Sequence, residues 1–152
     1  MRIIVNYDGV SNSDQYIVNA FNFFGEKITE LVIHTAIPYV SCYSSLEFGM
    51  GDPSYVEEID QAYFTSKCLD KQKEIQVKYP KIVIEPVISR GTPAFGILTA
   101  CRAHDPDLVI LDQSDERFGI FGLSNDRWAQ VRKNCQKPLL VVKRGASASR
   151  RP

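Results

Sequence analysis

Residues 107–125 read DLVILDQSDERFGIFGLSN. The stretch begins with a short aliphatic run that ends at Leu111 and is bounded by polar residues, which predicts a strand buried on both faces, as in the centre of a parallel sheet. Sheets of that kind bind ligands at the carboxyl ends of their strands, so the segment after Leu111 is the expected site. It leads to the helix-capping residues Ser124, Asn125 and Asp126. A loop that enters a helix in this way is where α/β proteins hold phosphate.

Short apolar runs predict four more strands, and segments with helical spacing of apolar residues separate them. Because proline is tolerated mainly on edge strands, Pro86 places the third strand at an edge of the sheet. Strands that alternate with helices pair in parallel through right-handed crossovers. The sequence therefore predicts a Rossmann-like three-layer α/β sandwich with a five-stranded parallel sheet in the order 3-2-1-4-5. The predicted strands are residues 2–7, 31–37, 82–88, 107–111 and 139–143.

The predicted strand order also locates a ligand crevice. The chain reverses direction between strands 1 and 4, so the crevice is expected between Asp8 and Asp112, at the ends of those strands. Carboxylate oxygens suit a hard cation such as Mg²⁺, and the acidic group that could bind one consists of Asp112, Asp115, Glu116 and Asp126. A solvated acidic loop is the simpler interpretation, and the sequence predicts no metal site.

A long helix is expected from Asp52 to about Tyr79, between the second and third strands. Its apolar stripe should face the sheet, whereas the mostly charged residues beyond Asp70 should project past the sheet. The stripe consists of Ile59, Ala62, Tyr63, Ser66 and Leu69.

The length of 152 residues suits one compact domain, which we assign to residues 1–144. Residues 145–152 lack a group to bury and are expected to form a disordered tail. With 18 Lys plus Arg against 18 Asp plus Glu, the net charge is zero, so neither nucleic acid nor a membrane is an expected partner. No window approaches the roughly 18 apolar residues of a membrane span, and no signal segment is evident, which predicts a cytoplasmic protein.

The four cysteines stand singly, without a C-x-x-C pair, which argues against zinc and favours free thiols in a reducing compartment. Neither His34 nor His104 has a Ser or Cys partner in a recognised nucleophile motif. No catalytic residue is therefore predicted, and the protein is not expected to be an enzyme.

Five short segments together resemble the universal stress protein family. The resemblance spans residues 2 to 144, and the order and spacing of the segments carry more weight than any one of them. The segments are Val5 to Gly9 with Ser11, His34 to Pro38, Gly91 to Pro93 with Ile97 and Ala100, Asp107 to Ile110, and Pro138 to Val142.

Members of that family that bind ATP carry the motif G-x-x-G-x9-G-[ST] directly after strand 4. At the four defined positions this chain has Asp112, Asp115, Asn125 and Asp126. A carboxylate about 4 Å from a phosphate oxygen costs on the order of 4 kcal/mol at an effective dielectric near 20, more than the ~0.3 to 1 kcal/mol that a helix N-terminus contributes. The degenerate phosphate-binding motif therefore predicts weak or absent ATP binding.

The resemblance implies roles for two further groups of residues. Asp8 corresponds to a carboxylate near the adenine, and Thr35 and Leu111 correspond to positions that line the adenine pocket. A turn cap at Asp8 and plain core positions for the other two are the simpler interpretations. The resemblance also implies a dimer contact through strand 5, whose apolar edge would otherwise be exposed. That strand contains Leu139, Leu140, Val141 and Val142.

The first functional hypothesis is a non-enzymatic stress-response protein, a homodimer that acts through protein partners without a cofactor. The alternative is a Mg-dependent binder of ATP or AMP, or a slow ATP hydrolase, in which Asp8 contacts the nucleotide. In that alternative a metal ion bridges the acidic loop and the phosphates.

Overall fold

A computed structural model describes residues 1–8, 15–37, 53–113 and 128–143. The loops and the tail between and beyond these ranges, including the acidic loop after residue 113 and residues 145–152, lie outside the described residues. Strands and helices alternate along the described chain, with a short 3₁₀ turn at Gly25–Lys27. The elements are β1 (Arg2–Asn6), α1 (Gln15–Phe24), β2 (Glu30–Ile37), α2 (Pro53–Lys78), β3 (Val83–Arg90), α3 (Pro93–His104), β4 (Leu108–Gln113), α4 (Ala129–Asn134) and β5 (Leu139–Lys143).

The strands form one parallel sheet in the order β3-β2-β1-β4-β5. At the centre, Val5 of β1 pairs with Ile33 of β2 and with Ile110 of β4. Pro86 pairs with Ile33 on the edge strand β3, where a missing amide hydrogen can face away from the ladder. The predicted fold class and strand order are confirmed.

The sheet separates two apolar cores, because side chains alternate along each strand. Ile3 and Val5 of β1 face α1 and α2, where they pack with Phe21. Ile4 faces α3 and α4, where it packs with Ile97. Central strands buried on both faces explain the continuous aliphatic runs in the sequence.

The inner face of α2 differs from the predicted stripe. Tyr63 is 47% exposed, Leu69 is 40% exposed, and Ala62 and Ser66 are also exposed. The side chain of Ile59 lies outside the described residues. Among the side chains that the structure describes, those on the face toward the sheet are Cys68, Lys71 and Ile75.

The last turns of α2 also pack on the core, contrary to the expectation that they project past the sheet. Ile75 is buried, and the Tyr79 ring just beyond the helix stacks on Phe21 with ring centroids 4.0 Å apart. Gln76 adds a hydrogen bond from its side-chain amide to the carbonyl oxygen of Ile82. The charged residues in this segment therefore cover the outer face of a helix that stays on the sheet. Within the described ranges, no helix combines the length and apolarity needed to cross a membrane.

Candidate functional site

The topological switch point lies between β1 and β4, as expected for this strand order. Asp8 follows β1 and is half-buried. Asp112 belongs to β4, where it pairs with Val142 of β5. The two predicted carboxylate positions are thus at the carboxyl ends of neighbouring strands, although the side chain of Asp112 lies outside the described residues. Asp115, Asn125 and Asp126 also lie outside them, so the exclusion of phosphate by this loop stays a prediction.

Thr35 and Leu111, the two predicted pocket residues, are fully buried. Thr35 lies on the same face as Ile33, two residues before it, and contacts the thiol of Cys68. Its hydroxyl has no hydrogen-bond partner among the described residues. Leu111 packs on the opposite face, in the cluster that contains Trp128. The sheet therefore separates the two side chains, and their part in nucleotide binding stays a prediction.

Lys71 is buried near the end of β1 and is not among the site residues predicted from the sequence. Lys71 of α2 is only 7% exposed, and its ammonium lies 5.4 Å from the centre of the Tyr7 ring. It also donates to the Glu74 carboxylate at 2.8 Å, and this bond is the main reason that the pKa of Glu74 is lowered. Lys71 follows Cys68 by three residues, so a helical projection that ignored residue type would have placed it on the inner face. Its aliphatic stem fills that face while its charge is paired.

A chain of polar side chains crosses three strands under α3. The Nδ1 atom of His34 lies 3.0 Å from Oδ1 of Asn6, and its Nε2 atom lies 2.7 Å from Oγ of Ser89. We call Asn6, His34 and Ser89 the polar relay. With the Asn6 oxygen as acceptor, Nδ1 carries the proton and Nε2 accepts from the Ser89 hydroxyl. Burial lowers the pKa of His34 to about 4, so the imidazole is neutral at pH 7.

Helix α3 closes over the polar relay at Gly96. A Cβ atom on Gly96 would lie 2.2 Å from Nε2 of His34 and 2.3 Å from Oγ of Ser89. Thr92 caps the same helix end by accepting from the amide of Phe95 at 3.4 Å. The glycine is therefore required by the close approach of the helix to the imidazole.

In the polar relay, Ser89, His34 and Asn6 are arranged like the nucleophile, base and orienting group of a catalytic triad. The chemistry of these residues nevertheless favours a structural role. A base whose pKa is about 4 takes a proton from a serine poorly at neutral pH. The backbone of Gly96 also occupies the space next to the Ser89 hydroxyl. Sequence inspection missed this pair because 55 positions separate His34 from Ser89.

An exposed apolar groove of about 430 Å³ runs between α1 and β5. Phe23 is 82% exposed and Leu140 is 41% exposed, and both line this groove. A contiguous exposed apolar surface is typical of an interaction site. We call this surface the β5 groove. Its main apolar lining residues are Phe23, Phe24, Leu108, Leu139, Leu140 and Val142.

By sequence alone, the chain matches no protein-family description and no curated protein. Its backbone, however, superposes on universal stress protein UspA from Lactobacillus plantarum with a TM-score of 0.69 at 15% identity, over 93% of this chain and 97% of that chain. This is the universal stress protein fold. Two further structures with this fold carry adenine nucleotides.

One of them is a universal stress protein family protein from Arabidopsis thaliana with AMP bound; it has a TM-score of 0.57 at 12% identity and covers 96% of this chain and 93% of its own. The other is a universal stress protein in complex with cAMP, with a TM-score of 0.55 at 15% identity over 94% and 96% of the two chains. The universal stress fold thus accommodates adenine nucleotides in other proteins.

For a metal ion, the described part of this universal stress fold offers no group of three or more His, Cys, Asp or Glu side chains at ligand distances. The side chains of the candidate cation group, Asp112, Asp115, Glu116 and Asp126, lie outside the described residues. Its ability to hold Mg²⁺ stays a prediction.

Proposed function

We propose that this chain is a member of the universal stress protein family that works as a non-enzymatic, homodimeric protein-interaction module with weak or no ATP binding. The observation that carries the proposal is the β5 groove, an exposed apolar surface on the outer strand of a universal stress fold. We place the protein in the cytoplasm, where its cysteines would be free thiols.

The homodimer follows from the chemistry of the β5 groove. Within the described residues β5 pairs with β4 alone, so its other side offers free backbone hydrogen-bonding groups beside exposed apolar side chains. An apolar edge of this kind promotes association unless it is covered. A second copy, related by a twofold axis, would pair the two β5 strands and cover Phe23 and Leu140 of both copies. The interface would then be symmetric, and the assembly would be complete at two subunits.

Weak ATP binding is supported by the charge at the crevice. Asp8 and Asp112 lie at the carboxyl ends of the two strands that flank the crevice, and three aspartates occupy defined positions of the phosphate motif. Each carboxylate near a phosphate would oppose binding more strongly than a helix N-terminus favours it. The buried cation Lys71 is already paired with Glu74.

The alternative function is Mg-dependent binding of ATP or AMP, with slow ATP hydrolysis. The observation that favours it is the AMP and cAMP carried by two proteins of the same fold. Mg²⁺ between the acidic loop and the phosphates would offset the repulsion. The absence of enzymatic activity is in turn supported by the polar relay, whose histidine is a weak base beneath Gly96.

The oligomeric state tests the interaction module. Size-exclusion chromatography with light scattering should give a dimer for the wild-type protein and a monomer for Leu140→Lys. The matched control is Val83→Lys, since Val83 is 65% exposed on the opposite edge strand, β3. It should remain a dimer. A monomeric wild-type protein, or a dimer that survives Leu140→Lys, would refute the contact through β5.

Calorimetry distinguishes the two functions at the crevice. Titration of the full chain with ATP, AMP and cAMP, each with Mg²⁺, should give no binding heat up to millimolar ligand. Micromolar affinity for any of them would establish the alternative and reject the proposal of a nucleotide-independent module.

A further inference from the structure

Two cysteines from distant parts of the sequence meet on the α3 side of the sheet. Cys101 lies on the inner face of α3 and is 8% exposed. Cys135 follows the last residue of α4, is half-buried, and packs against the apolar cluster that contains Cys101. The two thiols lie close enough for Cys135 to act on the pKa of Cys101. Two of the four cysteines that stand singly in the sequence therefore lie together in the fold.

The two thiols differ in their access to solvent. Cys135 is the more exposed one, and its thiol donates to the carbonyl oxygen of Lys137 at 3.8 Å. Burial is the largest cause that raises the pKa of Cys101 to about 12; the neighbouring Cys135 acts in the same direction and Lys137 in the opposite one. A dissolved oxidant therefore reaches Cys135 first, and Cys101 is the adjacent thiol that can resolve the product.

We propose that Cys101 and Cys135 form a redox-modification site that closes to a reversible disulfide when the protein meets a hydroperoxide. The inference depends on neither the β5 contact nor nucleotide binding, because both sulfurs belong to one described chain. Its substrate class is the hydroperoxides, of which hydrogen peroxide is the smallest.

With hydrogen peroxide as the oxidant, the chemistry has two steps. The Cys135 sulfur attacks one peroxide oxygen, the O–O bond breaks, and the second oxygen leaves as water with the thiol proton. The Cys135 sulfenic acid that results is then attacked by the Cys101 sulfur. The S–O bond breaks, and the hydroxyl group leaves as water with the Cys101 proton. Two thiols lose two electrons, and the peroxide is reduced to two molecules of water.

The position of the pair gives the disulfide a structural effect. Cys101 lies on the helix that covers the polar relay, and Cys135 begins the segment that leads into β5. The new bond would join α3 covalently to that segment. An oxidised protein should therefore hold the start of β5 more rigidly than a reduced one.

Cys68 provides a matched comparison within the same chain. It is fully buried on the opposite face of the sheet, where its thiol donates to the carbonyl oxygen of Ile33 at 3.8 Å. Burial raises the pKa of this thiol as well. With the sheet between it and the pair, Cys68 should stay reduced under conditions that oxidise Cys135.

Peptide mapping tests the proposal on the folded full-length chain. Trypsin cleaves after Lys and Arg but not before Pro, so the four cysteines fall in four separate peptides, 28–67, 68–71, 91–102 and 134–143. After brief exposure to hydrogen peroxide and alkylation of remaining thiols, non-reducing digestion should yield peptide 91–102 linked to 134–143. The linked pair should exceed every other cysteine pairing by at least tenfold and disappear with dithiothreitol.

The variants make the test specific. Cys101→Ser should leave the Cys135 sulfenic acid unresolved, so that dimedone labels peptide 134–143, whereas Cys68→Ser should give the wild-type linkage. Dominant pairing of Cys135 with Cys42 or Cys68, linkage between two chains, or equal dimedone labelling in the wild type and Cys101→Ser would overturn the proposal.

Discussion

The buried imidazole of His34 should make the protein sensitive to mild acid. In the unfolded chain this group has its ordinary pKa of 6.5, whereas in the folded protein burial lowers the pKa to about 4. Between these two values the unfolded state binds more protons than the folded state. The stability that depends on neutral His34 is therefore complete above pH 6.5 and is lost progressively as the pH falls from 6.5 through 4.

The magnitude follows from the two pKa values. The difference of about 2.5 pKa units corresponds to about 3 kcal/mol of unfolding free energy below pH 4. Between pH 7.5 and pH 5.0 the same linkage gives a loss of about 2 kcal/mol, which is a large part of the stability of a domain of this size.

Urea unfolding at pH 7.5 and pH 5.0 measures this loss. His34→Gln removes the titrating group, so the loss between the two pH values should shrink by about 2 kcal/mol whatever the stability of the variant at pH 7.5. In the NMR spectrum the His34 ring should show no titration near pH 6.5. Equal losses in the wild type and His34→Gln, or a His34 midpoint near 6.5, would refute the reasoning.

Three other perturbations have defined outcomes. Gly96→Ala should lower the unfolding free energy by about 1 to 3 kcal/mol, since its Cβ would overlap the polar relay, while Thr99→Ala on the exposed face of α3 should be nearly neutral in the same urea assay. Lys71→Met keeps the aliphatic stem and should change the stability by less than about 1 kcal/mol, whereas Lys71→Asp should destabilise the fold by more than that. A variant that restores the phosphate motif carries Asp112→Gly, Asp115→Gly, Asn125→Gly and Asp126→Ser. Its affinity for Mg-ATP in calorimetry should be at least tenfold higher than that of the wild type. No gain in affinity would show that charge and bulk in the loop are not what excludes ATP.

The strand order could be predicted because several independent signals agree. Continuous aliphatic runs identify strands buried on both faces, and helical segments between them require parallel crossovers. Pro86 then fixes one edge, where the structure places it beside Ile33. Each signal is local in sequence, so none depends on knowing the packing in advance.

The inner face of α2 could not be predicted by ranking residues by hydrophobicity. The helix exposes Tyr63 and Leu69 and buries Lys71, because shape and charge pairing outweigh residue type at this position. The partners of His34 were missed for a different reason. Asn6 and Ser89 reach it only through the register of three strands, which the sequence does not display. The same holds for the contact between Cys101 and Cys135, which depends on how α4 packs against α3.

The polar relay also bears on how the sheet aligns during folding. A displacement of β2 by two residues would keep every apolar side chain on its proper face, so hydrocarbon packing alone discriminates weakly against it. Asn6 is the direct partner of His34 across β1 and β2, and Ser89 lies two residues beyond Val87, the partner of His34 on β3. Such a shift in register would leave the side chains of Asn6, His34 and Ser89 buried without hydrogen-bond partners. His34, which makes the protein less stable in acid, thus also fixes the register of the sheet.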